Sequence, residues 1–270
     1  MKVESPKVSV IVPTYNSACT IRRCLDSIKR QSFQSIELIV PDNFSTDASA
    51  KISEIYGARV FSAKLGMSAA RNFGLAQSSG EYVLCLDSDF ELSSGLVSEC
   101  VELCEAGFDA VSINQDFVGE GFWSACRKLE NRTYWGDAII WSPRFFSRRI
   151  FDEVGGYDEK LTAGEDYDFA LRLIHRGYKI GFARSLIYHH ESGALRSIVM
   201  KKYRYGKSMS KFLSKHGQIG RSKFYPVRSQ WITHRNLLVE KPTVMIGIPF
   251  LKFLQYYCAL IGSLVGDHDS

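Results

Sequence analysis

Acidic residues are missing from one long stretch of this chain. Between Ser192 and Val239 there is no Asp or Glu, while 11 Lys and Arg fall there, from Arg196 to Arg235. With +5 for the whole chain and +11 in this block, the other residues carry −6. A basic block this pure selects its partner class: nucleic acid, anionic lipid or a phosphorylated ligand. C-x-x-C pairs are missing too, and the seven cysteines are odd in number. That argues against a zinc site and for a reducing compartment. Cys100 and Cys104 are spaced to share a helix face, as core packing does. No repeat and no low-complexity run breaks the 270 residues, which fits one large domain with or without an appendage. No secretory leader precedes the strand-like run at Val8, so none is expected. No glycine-rich phosphate loop follows that run, where Pro13-Thr14-Tyr15-Asn16-Ser17 stands instead. This excludes the pattern of sugar-1-phosphate nucleotidyltransferases. Residue 91 is Glu, where a phosphatase of the D-x-D-x-T kind needs Thr.

What is present alternates between strand and helix. Val8–Val12 reads as a short strand stopped by Pro13. Thr20–Arg30 has helical spacing, with Ile21, Leu25 and Ile28 on one face. Ile36–Val40 is a second strand, ending at Pro41-Asp42-Asn43, and Ser45-Thr46-Asp47 supplies N-cap candidates for a helix through Tyr56. Arg59–Phe61 is a third strand and Ser68–Ala76 a helix. Further on, Asp109–Ile113 and Asp137–Trp141 read as strands, Phe146–Val154 as a helix, Gly164–Arg176 as a helix and Ile180–His190 as a strand. Ala194–Lys215 is a long basic amphipathic helix candidate. The alternation predicts an α/β fold, a mainly parallel sheet flanked by helices. Ligands of such sheets bind beyond the carboxyl ends of the strands. Thr14 and Asn16, Asp42 and Asn43, and Asp87 and Asp89 stand at strand ends and would share one rim, as in a nucleotide site.

The run Tyr82–Leu86 ends in Asp87-Ser88-Asp89-Phe90-Glu91. Side chains two apart on an extended chain point to one side. If the chain stays extended, the three carboxylates converge and need a cation between them. Hard oxygen ligands suit Mg²⁺ or Mn²⁺, and Mg²⁺ is commonly held by one or two carboxylates plus substrate phosphates. The alternative for this triplet on its own is a solvated acidic loop.

Six stretches occur in order: Val8-Ser-Val-Ile-Val-Pro-Thr-Tyr-Asn16, Val40-Pro-Asp-Asn-Phe-Ser-Thr-Asp47, Ala69-Ala-Arg-Asn-Phe-Gly-Leu75, Leu86-Asp-Ser-Asp89, Gly155-Gly-Tyr-Asp-Glu159 and Gly164-Glu-Asp-Tyr-Asp-Phe-Ala-Leu-Arg172. The series resembles glycosyltransferase family 2, with the GT-A (Rossmann-like) fold, over residues 8 to about 190. The resemblance implies an inverting transferase that uses a nucleotide-diphospho-sugar and Mn²⁺ or Mg²⁺. It implies that Pro13, Thr14, Tyr15 and Asn16 form the base-binding turn and that Asp42, with Asn43 beside it, binds base or ribose. Arg71 matches the arginine near the diphosphate. Asp87 and Asp89 match the metal and diphosphate motif. Glu91 stands where dolichyl-phosphate mannose synthases place a further metal ligand, usually Gln. Asp166 matches the catalytic base, with Glu165 beside it, and the dipole of its helix N-terminus favours the charged form. His189 and His190 end a strand; His190 is a candidate diphosphate or acceptor contact, and a structural role is the alternative. Tyr167 and Asp168 read as helix packing and a surface charge, with Asp168 able to assist Asp166. Trp123, Trp135 and Trp141 read as core or as an acceptor groove. The Asp87–Glu91 pattern points to GDP-mannose as donor, with UDP-glucose and UDP-N-acetylglucosamine as alternatives. An intact Asp87, Asp89 and Asp166 set argues against a catalytically dead nucleotide-sugar binder.

The tail lacks the Q-x-x-R-W motif of processive family members, so one sugar per turnover is expected. Arg204 and Lys207, in Lys201-Lys-Tyr-Arg-Tyr-Gly-Lys207, stand there as candidate diphosphate or acceptor contacts. Thr243–Val265 is 23 residues long and mostly apolar, enough to span a bilayer. Lys252 near its middle costs about 3 kcal/mol on insertion scales, and Pro249 breaks the helix pattern, so a span, a re-entrant hairpin and an interfacial helix are all open. Ile198, Val199, Met200, Tyr203, Met209, Phe212 and Leu213 among the basic residues suit a helix on an anionic membrane surface. The division expected is 1–193 catalytic, 194–242 basic interface helix and linker, and 243–266 membrane segment. Basic residues beside the apolar run place the catalytic part on the cytoplasmic face. A tail packed on the domain is the alternative. The acceptor expected is a polyprenyl or dolichyl phosphate or a lipid-linked glycan, and no nucleic-acid partner is expected.

Overall fold

The structure is a computed structural model that describes residues 7–161, 163–191, 193–222 and 229–265. Lys223 and Arg228 of the basic block, the side chains of Met209 and Arg221, and residue 266 lie outside the described residues.

Eight strands form one sheet: β1 (Val8–Ile11), β2 (Ile36–Asp42), β3 (Arg59–Ser62), β4 (Tyr82–Cys85), β5 (Phe90–Leu92), β6 (Ala110–Val118), β7 (Phe145–Ser147) and β8 (Ile180–His190). Their order is β3-β2-β1-β4-β7-β6-β8-β5. β1 to β4 pair parallel, as do β6 and β8; β7 and β5 pair antiparallel with their neighbours. The sheet is therefore mixed, and its antiparallel members are three residues long each, too short for periodicity to announce them.

Alternation explains the layering. Val8, Val10, Val12, Leu38, Val40, Leu84 and Leu86 point to one face, and meet Ile21, Leu25 and Ile28 of α1 (Ile21–Lys29) and Leu96, Val97 and Val101 of α4 (Leu96–Glu105). Ile11, Ile39, Val83 and Cys85, the intervening residues, point to the other face. They meet Leu75 of α3 (Met67–Ala76), Ile150 of α6 (Arg148–Val154) and Phe169 and Leu173 of α7 (Glu165–His175). Each such fully buried aliphatic side chain is worth about 1.5–3 kcal/mol over an exposed one. α2 (Ser49–Ile55) completes the first face through Ile52.

Two expectations fail in detail. Asp137–Trp141 is a turn, not a strand: Asp137 Oδ1 accepts the N–H groups of Ile139 at 2.9 Å and Ile140 at 3.1 Å, so the side chain takes the bonds a ladder would use. Phe146 belongs to β7, and the helix begins only at Arg148.

A second helical unit joins the sheet end. It comprises α5 (Phe122–Arg132), α8 (Leu195–Ser222), α9 (Ser229–Thr233), α10 (Arg235–Val239) and α11 (Pro242–Val265). Cys126, Leu129, Ile198, Leu238, Ile248 and Leu251 form its core. α8 and α11 touch backbone to backbone: a Cβ at Gly206 would overlap the Ala259 carbonyl, and one at Gly262 the Tyr203 carbonyl. Lys252, the charge inside the apolar run, is satisfied within the protein. Its Nζ lies 2.5 Å from Glu130 Oε1 on α5, and Tyr134 donates to the same oxygen at 2.6 Å. On the outer side of α11, Ile246, Phe250, Phe253, Tyr257, Leu260 and Leu264 are exposed at alternating spacings of four and three.

Candidate active site

β1 lies between β2 and β4, and the chain runs out through β2 and β3 before returning on β4. That reversal makes the carboxyl end of β1 the switch point, where a crevice opens. Thr14, buried, forms a bridge to Asp42 at the end of β2. Asp42 is buried and accepts from Ser45, from its N–H at 2.9 Å and its hydroxyl at 2.5 Å. Asn16 Oδ1 accepts the Thr46 N–H at 2.9 Å, and Asn16 N donates to Ser45 Oγ at 2.9 Å. Asn43 Oδ1 accepts the Leu65 N–H at 3.1 Å. Asn16 (φ 46°) and Phe44 (φ 54°) are the non-glycine residues at positive φ among those described, and both sit on this rim. Strain of this kind collects at binding sites. Tyr15, two residues past buried Pro13, is 61% exposed and Phe44 is 58% exposed, so two aromatic faces stand free at the rim.

Across the crevice, two guanidiniums and three carboxylates interlock. Arg71, 2% exposed, donates through Nη2 to Asp87 Oδ1 at 2.8 Å and through Nη1 to Glu165 at 2.9 Å and Asp166 Oδ1 at 3.0 Å. Arg144 Nη2 donates to the other oxygens, Asp87 Oδ2 at 3.2 Å and Asp166 Oδ2 at 3.3 Å. Its guanidinium also lies over the Phe90 ring, 4.8 Å from the centroid. Burial alone would push the Asp87 carboxyl up, but Arg144 and Arg71 outweigh it and hold the group well below the usual carboxylate range. Glu165 goes the other way: burial and its neighbour Asp166 raise it.

The carboxylates at 87, 89 and 91 do not point together. After β4 the chain turns at Ser88 and crosses to the far edge of the sheet as β5, beside β8. Asp89 Oδ2 is 3.0 Å from His189 Nε2, and Glu91 Oε2 is 2.8 Å from His190 Nε2. Among the described residues, no group of three or more acidic, His or Cys side chains is placed to hold a metal unaided. Asp89 and His189 together offer a hard oxygen and an imidazole nitrogen, a donor pair that suits Mn²⁺ when phosphate oxygens complete the sphere. Burial lowers the His189 pKa despite its Asp89 partner, which leaves the neutral imidazole a ligand needs. The residues therefore fit a metal that arrives with a diphosphate.

α8 crosses this site. Burial raises the Tyr205 hydroxyl pKa, with Asp87, Glu165 and Asp166 adding to it against Lys201. Lys201 Nζ lies 2.6 Å from Glu191, while Arg204 is exposed and Lys207 stacks over Tyr203 at 5.8 Å. Further along, Phe212 packs on Gly164, where a Cβ would come within 2.8 Å of the ring. Asp168 is fully buried, not a surface charge: Arg172 Nε at 2.8 Å, Lys215 Nζ at 2.6 Å and His216 Nε2 at 2.9 Å surround it. The C-terminal half of α8 supplies two of those partners, Lys215 and His216, which no reading of α7 alone reveals. Trp141 is core beside Phe117 and Tyr134, Trp135 donates to the Gln115 carbonyl at 3.1 Å, and Trp123 stacks on Phe250 at 5.8 Å. Two members of the site were missed in the sequence, Arg144 and Phe44 as an exposed rim aromatic; a Pro before Arg144 was the sole local signal.

A mixed sheet with a switch-point rim, polar strand ends and an arginine-clamped carboxylate group defines the GT-A class of nucleotide-sugar folds. The family model "Glycosyl transferase family 2" matches residues 9–157. The chain belongs to glycosyltransferase family 2. Glycosyltransferase AglE of Haloferax volcanii is 27% identical over 75% of this chain and 72% of its own length. The GalNAc(5)-diNAcBac-PP-undecaprenol beta-1,3-glucosyltransferase of Campylobacter jejuni is 32% identical over 43% of each chain. Glycosyltransferase GlyA of Streptococcus pneumoniae is 43% identical over 61% of this chain, which spans 23% of that protein. Apart from AglE, these relatives are matched over less than half their length. Among solved structures, the mannosyltransferase PcManGT of Pyrobaculum calidifontis, in complex with GDP-Man and Mn²⁺, superposes with a TM-score of 0.68 at 19% identity, over 97% of this chain and 88% of that one. S. aureus TarS 1–349 with UDP gives 0.60 at 20% identity, over 96% and 90%. Both share the fold.

Proposed function

We propose that the protein is an inverting, metal-dependent transferase that moves one sugar from a nucleotide-diphospho-sugar to a lipid-linked acceptor at the cytoplasmic face of a membrane. The observation that carries this reading is the shared clamp: Asp87, just past β4, and Asp166, at the start of α7, bind the same two guanidiniums. In this reading Pro13, Thr14, Tyr15, Asn16, Asp42 and Asn43 take the base and ribose. Arg71 orients Asp87 toward the diphosphate. Asp89, with His189, would hold Mn²⁺ or Mg²⁺, and Glu91 and His190 brace that side. A metal held there would supply positive charge where the leaving diphosphate gains negative charge. The transition state is oxocarbenium-like, and a single displacement inverts the anomeric centre. Asp166, held by Arg71 and Arg144, takes the proton from an acceptor hydroxyl; if the acceptor is a phosphate, already anionic, Asp166 only orients it. Glu165 positions Arg71.

GDP-mannose is the donor favoured by the Asp87–Glu91 pattern. A UDP-sugar is the second reading, favoured by the Campylobacter relative named as a glucosyltransferase on an undecaprenol-linked acceptor. Membrane attachment rests on the tail. α11 is long and apolar enough to cross a bilayer, yet Lys252 is paired inward and one face of the helix is packed on α5 and α8. That supports a helix lying in the interface, with the ridge from Ile246 to Leu264 in lipid and α8 cations on anionic headgroups. The test is binding of a nucleotide-sugar panel to wild type and Asp89→Ala, with Mn²⁺, Mg²⁺ or chelator. One donor bound in a metal-dependent way, and lost in Asp89→Ala, is the expected result. Metal-independent binding that survives the substitution refutes the assignment of Asp89.

A further inference from the structure

Beside Asp89 the structure has a cavity of about 190 Å³, lined by Asp89, Arg127, His190, Glu191, Ser197, Ile198 and Lys201, of which the donor reading gives no role to Arg127, Glu191 or Lys201. Its cations come from the helical unit, Arg127 on α5 and Lys201 on α8. Both are turned on one carboxylate: Glu191 touches Arg127, and its Oε1 lies 2.6 Å from Lys201 Nζ and 3.3 Å from His189 Nε2. A carboxylate between an arginine and a lysine occupies the position that a phosphate oxygen takes in such a pair.

The surroundings are short of negative charge. Arg127, Lys201, Lys202 and Lys252 stand near each other, with Glu130, Glu191 and Asp89 as the carboxylates about them. Lys202 shows the strain: burial first, then Lys252, Arg127 and Lys201, push its pKa down to about 7. Uncompensated buried charge is costly, and an anionic ligand relieves it.

We propose that Arg127 and Lys201 form a phosphate-binding site for the anionic head of the acceptor, and that Glu191 holds the place of that phosphate until it arrives. The inference rests on the transferase reading. The acceptor is preferred over the donor because the two cations belong to the unit that also carries the apolar ridge of α11. A phosphate seated there has a lipid-compatible surface on α11, which packs on both α5 and α8, and the metal-side residue Asp89 on the cavity wall.

The test uses the full chain in detergent micelles, with farnesyl phosphate and farnesol as probes and GDP and UDP as separate probes, read by calorimetry. Wild type should bind farnesyl phosphate about tenfold or more tightly than farnesol, the worth of one charge-assisted contact. Lys201→Ala and Arg127→Ala should each weaken farnesyl phosphate by about tenfold and leave nucleoside diphosphate affinity within about twofold. Glu191→Gln should tighten farnesyl phosphate, because it removes the resident charge. Unchanged farnesyl phosphate binding in both alanine variants overturns the inference. So does a loss confined to GDP or UDP, which would assign the pair to the donor. If wild type binds neither nucleoside diphosphate but keeps the cation-dependent binding of farnesyl phosphate, the phosphate site stands and the transferase reading falls.

Discussion

Arg71 and Arg144 decide what the carboxylates of the crevice can do. Arg71 is nearly sealed from solvent and balances three acidic groups, so Arg71→Met leaves Glu165 without its arginine and Asp87 and Asp166 sharing Arg144 alone. Breaking such a pair from one side costs about 3–5 kcal/mol, which urea unfolding would measure. Acid should act on the same cluster. The Asp87 pKa is depressed in the folded state, so its contribution is fully present above the unfolded value near 4 and is lost as pH falls through the lower folded value. Asp87→Asn should therefore flatten the acid limb of the stability curve relative to wild type; parallel limbs would mean the pairing contributes nothing. Asp87, Asp166 and Arg71 were legible because each sits in a motif with fixed neighbours. Arg144 was not. It follows Pro143 among aromatic residues, and nothing local separates an arginine that reaches a remote carboxylate from one that reaches water.

Elements were legible in proportion to their length. Strand-helix alternation gives β1 to β4 and their helices, since four to ten residues suffice to show period and caps. β5 and β7 escape because three residues carry no period, and their partners, β8 and β6, are distant in sequence. The run at 137–141 misleads because its apolar composition outweighs the Asx turn at its head. α11 was visible as an apolar run, but its packing was not: the roles of Gly206, Gly262 and Lys252 depend on which helix lies opposite. That packing makes a sharp prediction. Gly262→Leu cannot be accommodated against the Tyr203 backbone and should lower the melting temperature by several degrees, as 1–3 kcal/mol of overpacking does in a domain this size. Leu264→Ser, on the exposed ridge, should leave it unchanged.

At the scale of the whole molecule, the charge asymmetry seen first in the sequence acquires a place. The clamped acidic residues of the site lie at the switch point of the sheet, and most of the basic block's described residues lie on α8, which packs on α11. A family 2 transferase so built has a polar rim at its switch point and an apolar, cation-flanked helical unit beside the sheet. The account stands or falls on whether sugar passes between them. The most direct measurement supplies labelled GDP-mannose, UDP-glucose and UDP-N-acetylglucosamine in turn to the protein on anionic vesicles that contain a polyprenyl phosphate and a diphospholipid-linked glycan. The account predicts label in the lipid fraction from one donor. With a hydroxyl acceptor, Asp166→Asn should cut the rate by about 10²–10⁴. No label in lipid from any donor, with protein bound to the vesicles and nucleotide bound to protein, would contradict it.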